Sequence, residues 1–290
     1  TSTTLNPNLT LAAGTYGIYG FVNTFDSNGF TVGTGSSNNV HVNNNNTTYV
    51  SWNWKAGGTA VSNTDGTITS QVSANVDAGF SIVKYTGNGG NATLGSGLNQ
   101  QVEMVICKST ESVSQWITYH KDLTGNVSGD NPYNLYLNGT DAQLDLTAFG
   151  AYNSFTSSVF PVTRQSVSTA HNNNNNIDYI AYAFHSVAGY SKVGSYIGNG
   201  STTGPIIYTG FRPRFIMTRP YSIGDNWSIW GVNQPGDDID QILVPNNDGA
   251  QSAIGFGRYD ITLSSTGFQL KRTDSQINQN GAAYIFMAIA

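Results

Sequence analysis

The chain has 290 residues, enough for two modest domains or one large all-β unit. Only 10% of them are charged, against roughly 25% in ordinary soluble domains, and 12 Lys and Arg stand against 17 Asp and Glu for a net charge of −5. That balance argues against a nucleic-acid partner, which needs clustered cations to displace counterions. With no apolar run of 18 residues, no membrane-spanning helix is expected either.

Helix formers are scarce: Glu103 and Glu111 are the only glutamates. Gly, Asn and Ser favour turns, and Val, Ile, Thr and Tyr favour strands. In chain order, residues 1–76 read as a partial N-terminal β module and connector. It contains the stretch from Ser27-Asn28-Gly29-Phe30 to a Tyr-led strand, Tyr49-Val50-Ser51-Trp52-Asn53-Trp54. The Gly-, Ser- and Thr-rich segment 55–73 reads as the connector. Residues 77–189 form a first full module. It opens on Tyr85-Thr86-Gly87-Asn88-Gly89 and passes Gly97-Leu98, an apolar strand (Met104 to Lys108) and a Trp strand (Trp116 to Tyr119). It closes from Ser157-Ser158-Val159-Phe160 onto Tyr179 to Phe184. Residues 190–290 repeat the plan: Tyr196-Ile197-Gly198-Asn199-Gly200, Gly210-Phe211, Phe215 to Arg219, Trp227 to Trp230, then Ser265-Thr266-Gly267-Phe268 and Tyr284 to Ile289. Repetition of this kind marks copied structural modules. The fold class expected is all-β: two related, jelly-roll-like β-sandwiches and a partial third.

Alternation in the Tyr-led strands places Val50, Trp52, Trp54, Ile180, Tyr182, Phe184, Ile285, Met287 and Ile289 on one apolar face, the expected core. The opposite face, with Ser51, Asn53, Ala181 and Ala183, is small enough for a second sheet or a subunit to approach. The Asn runs 43–46 and 172–176 read as solvated hairpin loops.

Chemical motifs are sparse. Cys107 stands alone on an apolar strand, so no intrachain disulfide forms and a buried thiol is expected. Asp237, Asp238 and Asp240 form the densest acidic cluster and are weak calcium candidates; a solvated turn is the favoured reading, because their spacing fits no defined calcium loop. His41, His120, His171 and His185 lack metal-ligand spacing. The two glutamates share one strand and its turn, a poor placement for the opposed carboxylates of a glycosidase. No enzyme and no cofactor is expected.

Several long motifs then carry a resemblance. They are residues Tyr49 to Gly58 (YVSWNWKAGG), Val61 to Asn75 (VSNTDGTITSQVSAN), Ala78 to Val83, Gly189 to Tyr196, Tyr208 to Pro213, Asp225-Asn226-Trp227 and Ser265 to Leu270. Over residues 27–290 the chain resembles a β-rich domain of unknown function found in tail-fibre and virion surface proteins of marine bacteriophages. Residues 1–26 lie outside the match, and Pro220-Tyr221-Ser222 alters the usual surroundings of the Trp227 strand. The resemblance implies an extracellular virion appendage, a fibre or receptor-binding protein touching host glycans. A capsid-decorating or head-fibre role is the alternative, and a polysaccharide-cleaving tailspike a third reading. A homo-oligomer, by analogy a trimer, bound to other virion proteins is expected, since low charge and the uncharged C-terminal strand favour self-association.

Overall fold

The structure, a computed structural model, describes residues 3–15, 18–37, 41–123, 133–145, 155–164, 171–231, 238–249 and 261–290. Among these residues there is no helix, and every strand pairing is antiparallel. Two strands at the N-terminus, β1 (Phe21–Asp26) and β2 (Gly29–Gly33), form a hairpin of their own.

The next ten strands are β3 (Val61–Asn63), β4 (Ser70–Asn75), β5 (Phe80–Thr86), β6 (Ala92–Gly95), β7 (Met104–Ser109), β8 (Ile117–His120), β9 (Tyr133–Tyr136), β10 (Leu144–Asp145), β11 (Val159–Val162) and β12 (Asp178–Phe184). Eight of them make one sheet in the order β10-β9-β8-β7-β12-β5-β4-β3, and β11-β6 lies over it. The last eight are β13 (Ser191–Ile197), β14 (Ile206–Tyr208), β15 (Phe215–Pro220), β16 (Ser228–Gly231), β17 (Asp238–Ile239), β18 (Ile261–Ser264), β19 (Gly267–Leu270) and β20 (Ala283–Ile289). They form two four-stranded sheets, β13-β20-β15-β16 and β14-β19-β18-β17. The order β5-β12-β7-β8 thus recurs as β13-β20-β15-β16, with Tyr85 opposite Tyr179 in one and Tyr196 opposite Tyr284 in the other. The segment 55–73, read as a connector, instead holds β3 and the start of β4, which extend the larger sheet.

Three apolar cores result. One lies under β11-β6 and contains Val83, Leu94, Phe160, Tyr179 and Ala181; its counterpart between the two four-stranded sheets contains Trp230, Phe268, Tyr284 and Phe286. The third joins the two large sheets face to face, through Phe80, Met104, Phe184, Phe215, Met217, Ile285 and Met287. The central strands β12 and β20 are therefore covered on both sides. The small-residue face is the deeper one: Tyr179, Ala181 and Ala183 are fully buried, because that face meets a second sheet within van der Waals reach. On the expected core face, Phe184, Ile285 and Met287 are buried, Tyr182 and Ile289 are half-buried along the seam between the large sheets, and Ile180 is half-buried.

The N-terminal copy differs. Among the described residues, Tyr49–Trp54 pairs with no strand, a correction to the expected Tyr-led strand. Val50 is exposed rather than core, and Trp52 and Trp54 are half-buried with their rings 5.5 and 5.4 Å from that of Phe215. The reason is the neighbours: β12 and β20 are each flanked by two strands, and Tyr49–Trp54 by none.

Residues 1–26, which lay outside the resemblance, include a segment with a repeated role. The Trp116 indole donates to the Asn6 carbonyl at 2.9 Å, and Trp227 donates to that of Tyr136 at 3.0 Å. Lys108 Nζ reaches the carbonyl of Thr10 (3.0 Å), and Arg219 Nη2 reaches that of Asp141 (2.6 Å). Ala13 N–H donates to Thr110 as Gln143 N–H donates to Tyr221. Residues 6–13 thus lie across the first sandwich as residues 136–143 lie across the second.

Candidate functional site

The surface feature that brings diverse chemistry together is a groove at the seam of the two large sheets. It consists of two concavities of about 330 Å³ each on either side of Lys121, which borders both. One side is formed by Gln100, Gln101, Glu103, His185 and Ser186. The other is bounded by Asp122, Lys192, Ser195, Ile206 and Tyr208.

Local structure explains each position. Lys121 follows β8, and its backbone N–H donates to the Glu103 carbonyl at the head of β7. Its ammonium meets Glu103 Oε1 at 2.6 Å, while Glu103 Oε2 accepts the Ser186 N–H at 2.7 Å and also its hydroxyl. Burial works to raise the Glu103 carboxyl, but the bonds from Lys121 and Ser186 outweigh it and hold the pKa below the ordinary value. Ser186 Oγ in turn accepts the Val193 N–H at 2.9 Å, so the network fixes the link between β12 and β13. On β14, alternation turns Ile207 inward and Ile206 and Tyr208 outward; Tyr208 is 70% exposed. The groove therefore offers an aromatic ring, two ammonium groups, two carboxylates and two serine hydroxyls within one surface. Sequence reasoning weighed Glu103 and His185 but missed the others and the groove itself. The one signal available was Ile206-Ile207-Tyr208, an apolar triplet in a strand that must turn two of its residues to one side.

Apart from Glu103 and His185, the residues singled out in sequence lie elsewhere. Asp237 lies outside the described residues. Asp238 Oδ1 accepts the Thr262 hydroxyl at 2.5 Å across the β17–β18 pair, and Asp240 lies just beyond that pair. Among the described residues, no group of three His, Cys, Asp or Glu could hold a metal ion. Cys107 is buried, bonded to the Tyr85 hydroxyl at 3.2 Å, and burial pushes its pKa up to about 12, which makes it inert as a nucleophile. Glu111 accepts the Asp178 N–H at 3.0 Å. His171 bonds the Tyr179 hydroxyl at 2.6 Å. His185 borders the groove, and its Nδ1 lies 2.9 Å from the Ser186 carbonyl. Tyr221 and Ser222, in the stretch that departs from the usual pattern, serve the junction: Tyr221 O accepts from Gln143, and Ser222 Oγ accepts from Ala283.

The first Asn run, 43–46, is exposed as expected, but the second proved structural. Asn172 and Asn173 are buried, not solvated. Asn173 Oδ1 accepts the Asn88 N–H at 3.0 Å, its Nδ2 donates to Asn88 Oδ1 (2.9 Å) and to the Gly90 carbonyl (2.6 Å), and its carbonyl takes the Gly89 N–H (3.0 Å). Asn278 holds Asn199, Gly200 and Ser201 in the same way. Each Gly-Asn-Gly turn is thus gripped by one buried Asn. Gly87 and Gly198 are required there, since a Cβ would stand 2.3 Å from the carbonyl oxygen of Asn174 or Gln279.

These features define an all-β protein of stacked, internally repeated sandwiches with a mixed polar and aromatic groove at their seam. The chain belongs to the family described as Domain of unknown function (DUF7483), whose model matches residues 1–290 and so takes in residues 1–26 as well. No curated protein and no solved structure matches it.

Proposed function

We propose that the protein is a structural appendage of a bacteriophage virion, a tail-fibre or receptor-binding protein whose groove around Lys121 and Tyr208 contacts glycans on the host surface. The observation that carries this reading is Tyr208, a largely exposed ring beside Lys121, Asp122, Lys192 and Ser195. Sugars are bound by such sets, with the ring taking the apolar face of a pyranose and the charged groups its hydroxyls. The long motifs that resemble those of phage surface proteins support the same assignment. The role is binding rather than cleavage: Glu103, the glutamate at the groove, is tied to a cation and to both donors of Ser186. In this reading the protein works as a homotrimer among other virion proteins.

A glycan array tests it. The wild-type protein should bind a discrete glycan class, and Tyr208→Ala should weaken that binding at least tenfold, about 1.4 kcal/mol or more, with an unchanged melting temperature. An array without binding, or a Tyr208→Ala protein that binds as well as wild type, overturns the assignment of this groove.

A further inference from the structure

The internal repeat explains why the groove beside Tyr208 is open. Gly97-Leu98 and Gly210-Phe211 set the two copies in register, so Thr93, Leu94 and Gly95 on β6 correspond to Ile206, Ile207 and Tyr208 on β14. Leu94 and Ile207 are both buried, opposite Phe160 and Phe268. In the first sandwich the chain from Asn63 to Asn75 fills the space beside β5 and β6. β4 pairs with β5, placing Gln71 opposite Lys84 and Ser73 opposite Ile82. The Ile68 N–H donates to the Thr93 carbonyl at 3.1 Å, and the Thr67 and Thr93 N–H groups each donate to the other's hydroxyl, at 3.0 and 2.8 Å. Gly95 has no room for a side chain, because a Cβ would stand 1.7 Å from Asn63 Oδ1, and a Cβ on Gly97 would touch Val72 and Ala74.

Among the described residues, the second sandwich has no strand in that place. β13 pairs with β20 alone, and β14 with β19 alone. Nothing lies within 4 Å of where a Cβ on Gly210 would stand. Ile206 and Tyr208, in the positions of Thr93 and Gly95, are 53% and 70% exposed. β13 also presents open backbone. Ala290 N–H donates to the Tyr190 carbonyl and Gly198 N–H to that of Ala282, which turns the even-numbered residues of β13 towards β20 and Val193, Ser195 and Ile197 outward. Ser186 Oγ takes the Val193 N–H at 2.9 Å, while the Ser195 N–H and carbonyl bond nothing among the described residues. This edge gives a peptide strand a broken ladder, since the Val193 donor is already engaged. A sugar chain needs no ladder: single hydroxyls can meet the Ser195 groups while pyranose faces lie on Tyr208 and Ile206.

We propose, resting on the glycan reading of this groove, that its ligand is a linear β-1,4-linked polysaccharide bound along its length, not the tip of a branched glycan. Such a chain is a flat, extended ribbon with hydroxyls along its edges, the profile of the strand that fills the first slot. Its edge meets β13, and its face lies on Ile206 and Tyr208, which stand two residues apart on one side of β14. A coiled α-1,4-linked chain does not fit a straight slot.

The test uses the full chain with cellohexaose and chitohexaose as probes. Their disaccharides, maltohexaose and a peptide of residues 66–75 serve as comparisons. At least one β-1,4-linked hexasaccharide should bind saturably, at least tenfold more tightly than its disaccharide and than maltohexaose. Hydrogen exchange at the Ser195 and Ile197 amides should slow at least tenfold on binding. Ile206→Asp should weaken binding at least tenfold at an unchanged melting temperature, since that side chain is exposed. The proposal is overturned if neither hexasaccharide binds, if a disaccharide or maltohexaose binds as tightly, if Ser195 and Ile197 stay unprotected, or if the peptide binds more tightly, which would assign the slot to a polypeptide. Branched glycans bound through Tyr208, with neither hexasaccharide bound, would sink this inference and leave the glycan reading standing. No glycan binding of any kind would sink both.

Discussion

Asn278 shows how much one side chain organises. Its amide donates to the carbonyls of Ser201 and Arg272 and to Asn199 Oδ1, and its oxygen takes the Asn199 N–H, all in a fully buried position. Removing it leaves several buried polar groups without partners, each worth about 1–3 kcal/mol. Asn278→Ala should therefore destabilise the protein by about 3 kcal/mol in urea unfolding. Asn278→Asp should cost nearly as much, because a carboxylate cannot donate to two carbonyls. An Asn278→Asp protein as stable as wild type would show that the turn is held by the backbone alone. Lys108 and Arg219 teach the same lesson with charge. Both are buried, each donates to a carbonyl of the preceding segment, and burial lowers their pKa values to about 8 and about 10.

Among the elements, β8 adds a polar contact across the seam between the two large sheets. His120 at its end is fully buried; its Nδ1 accepts the Asp122 N–H at 3.1 Å, and its Nε2 lies 3.3 Å from the Phe286 carbonyl on β20. Burial is the main cause that drives its pKa down, to about 3 from 6.5. The folded state thus keeps His120 neutral where the unfolded chain takes up a proton. Stability is then complete above pH 6.5 and falls as the pH drops from 6.5 towards 3. At pH 4 the loss from this one group should reach up to about 3 kcal/mol. Urea midpoints from pH 7 to pH 4 should fall less steeply for His120→Asn than for wild type. Equal slopes would mean that other groups carry the acid sensitivity.

At the scale of the whole molecule, the stack of sheets is joined by apolar surface. Phe80, Met104, Phe184, Phe215, Met217, Ile285 and Met287 form the seam, and ion pairs such as Lys121–Glu103 lie at its margin. If the proposed homotrimer uses surfaces of the same low charge, its association should resist salt, because screening acts only where charges face each other. Sedimentation at micromolar concentration is expected to give one species of three chains, unchanged between 0.05 and 1 M salt on the order set by that screening argument. A stable monomer, or dissociation as salt rises, would refute this form of assembly.

The sequence by itself determined the all-β class, the repeat and most strand positions. Met104–Lys108, Phe215–Arg219, Tyr179–Phe184 and Tyr284–Ile289 all fall within strands, because period-two alternation and turn residues are local properties. Only the tertiary structure decided which face is deepest. Ala181 and Ala183 lay opposite the expected core face, on a side small enough for a second sheet or a subunit; a second sheet covers them and they are the more buried, since burial depends on how many layers stack on a strand rather than on its own side chains. The same holds for Asn43 and Asn173, equivalent in sequence and opposite in environment. It holds again for the groove, where Lys121 and Tyr208 are brought together from separate sandwiches across the seam between them.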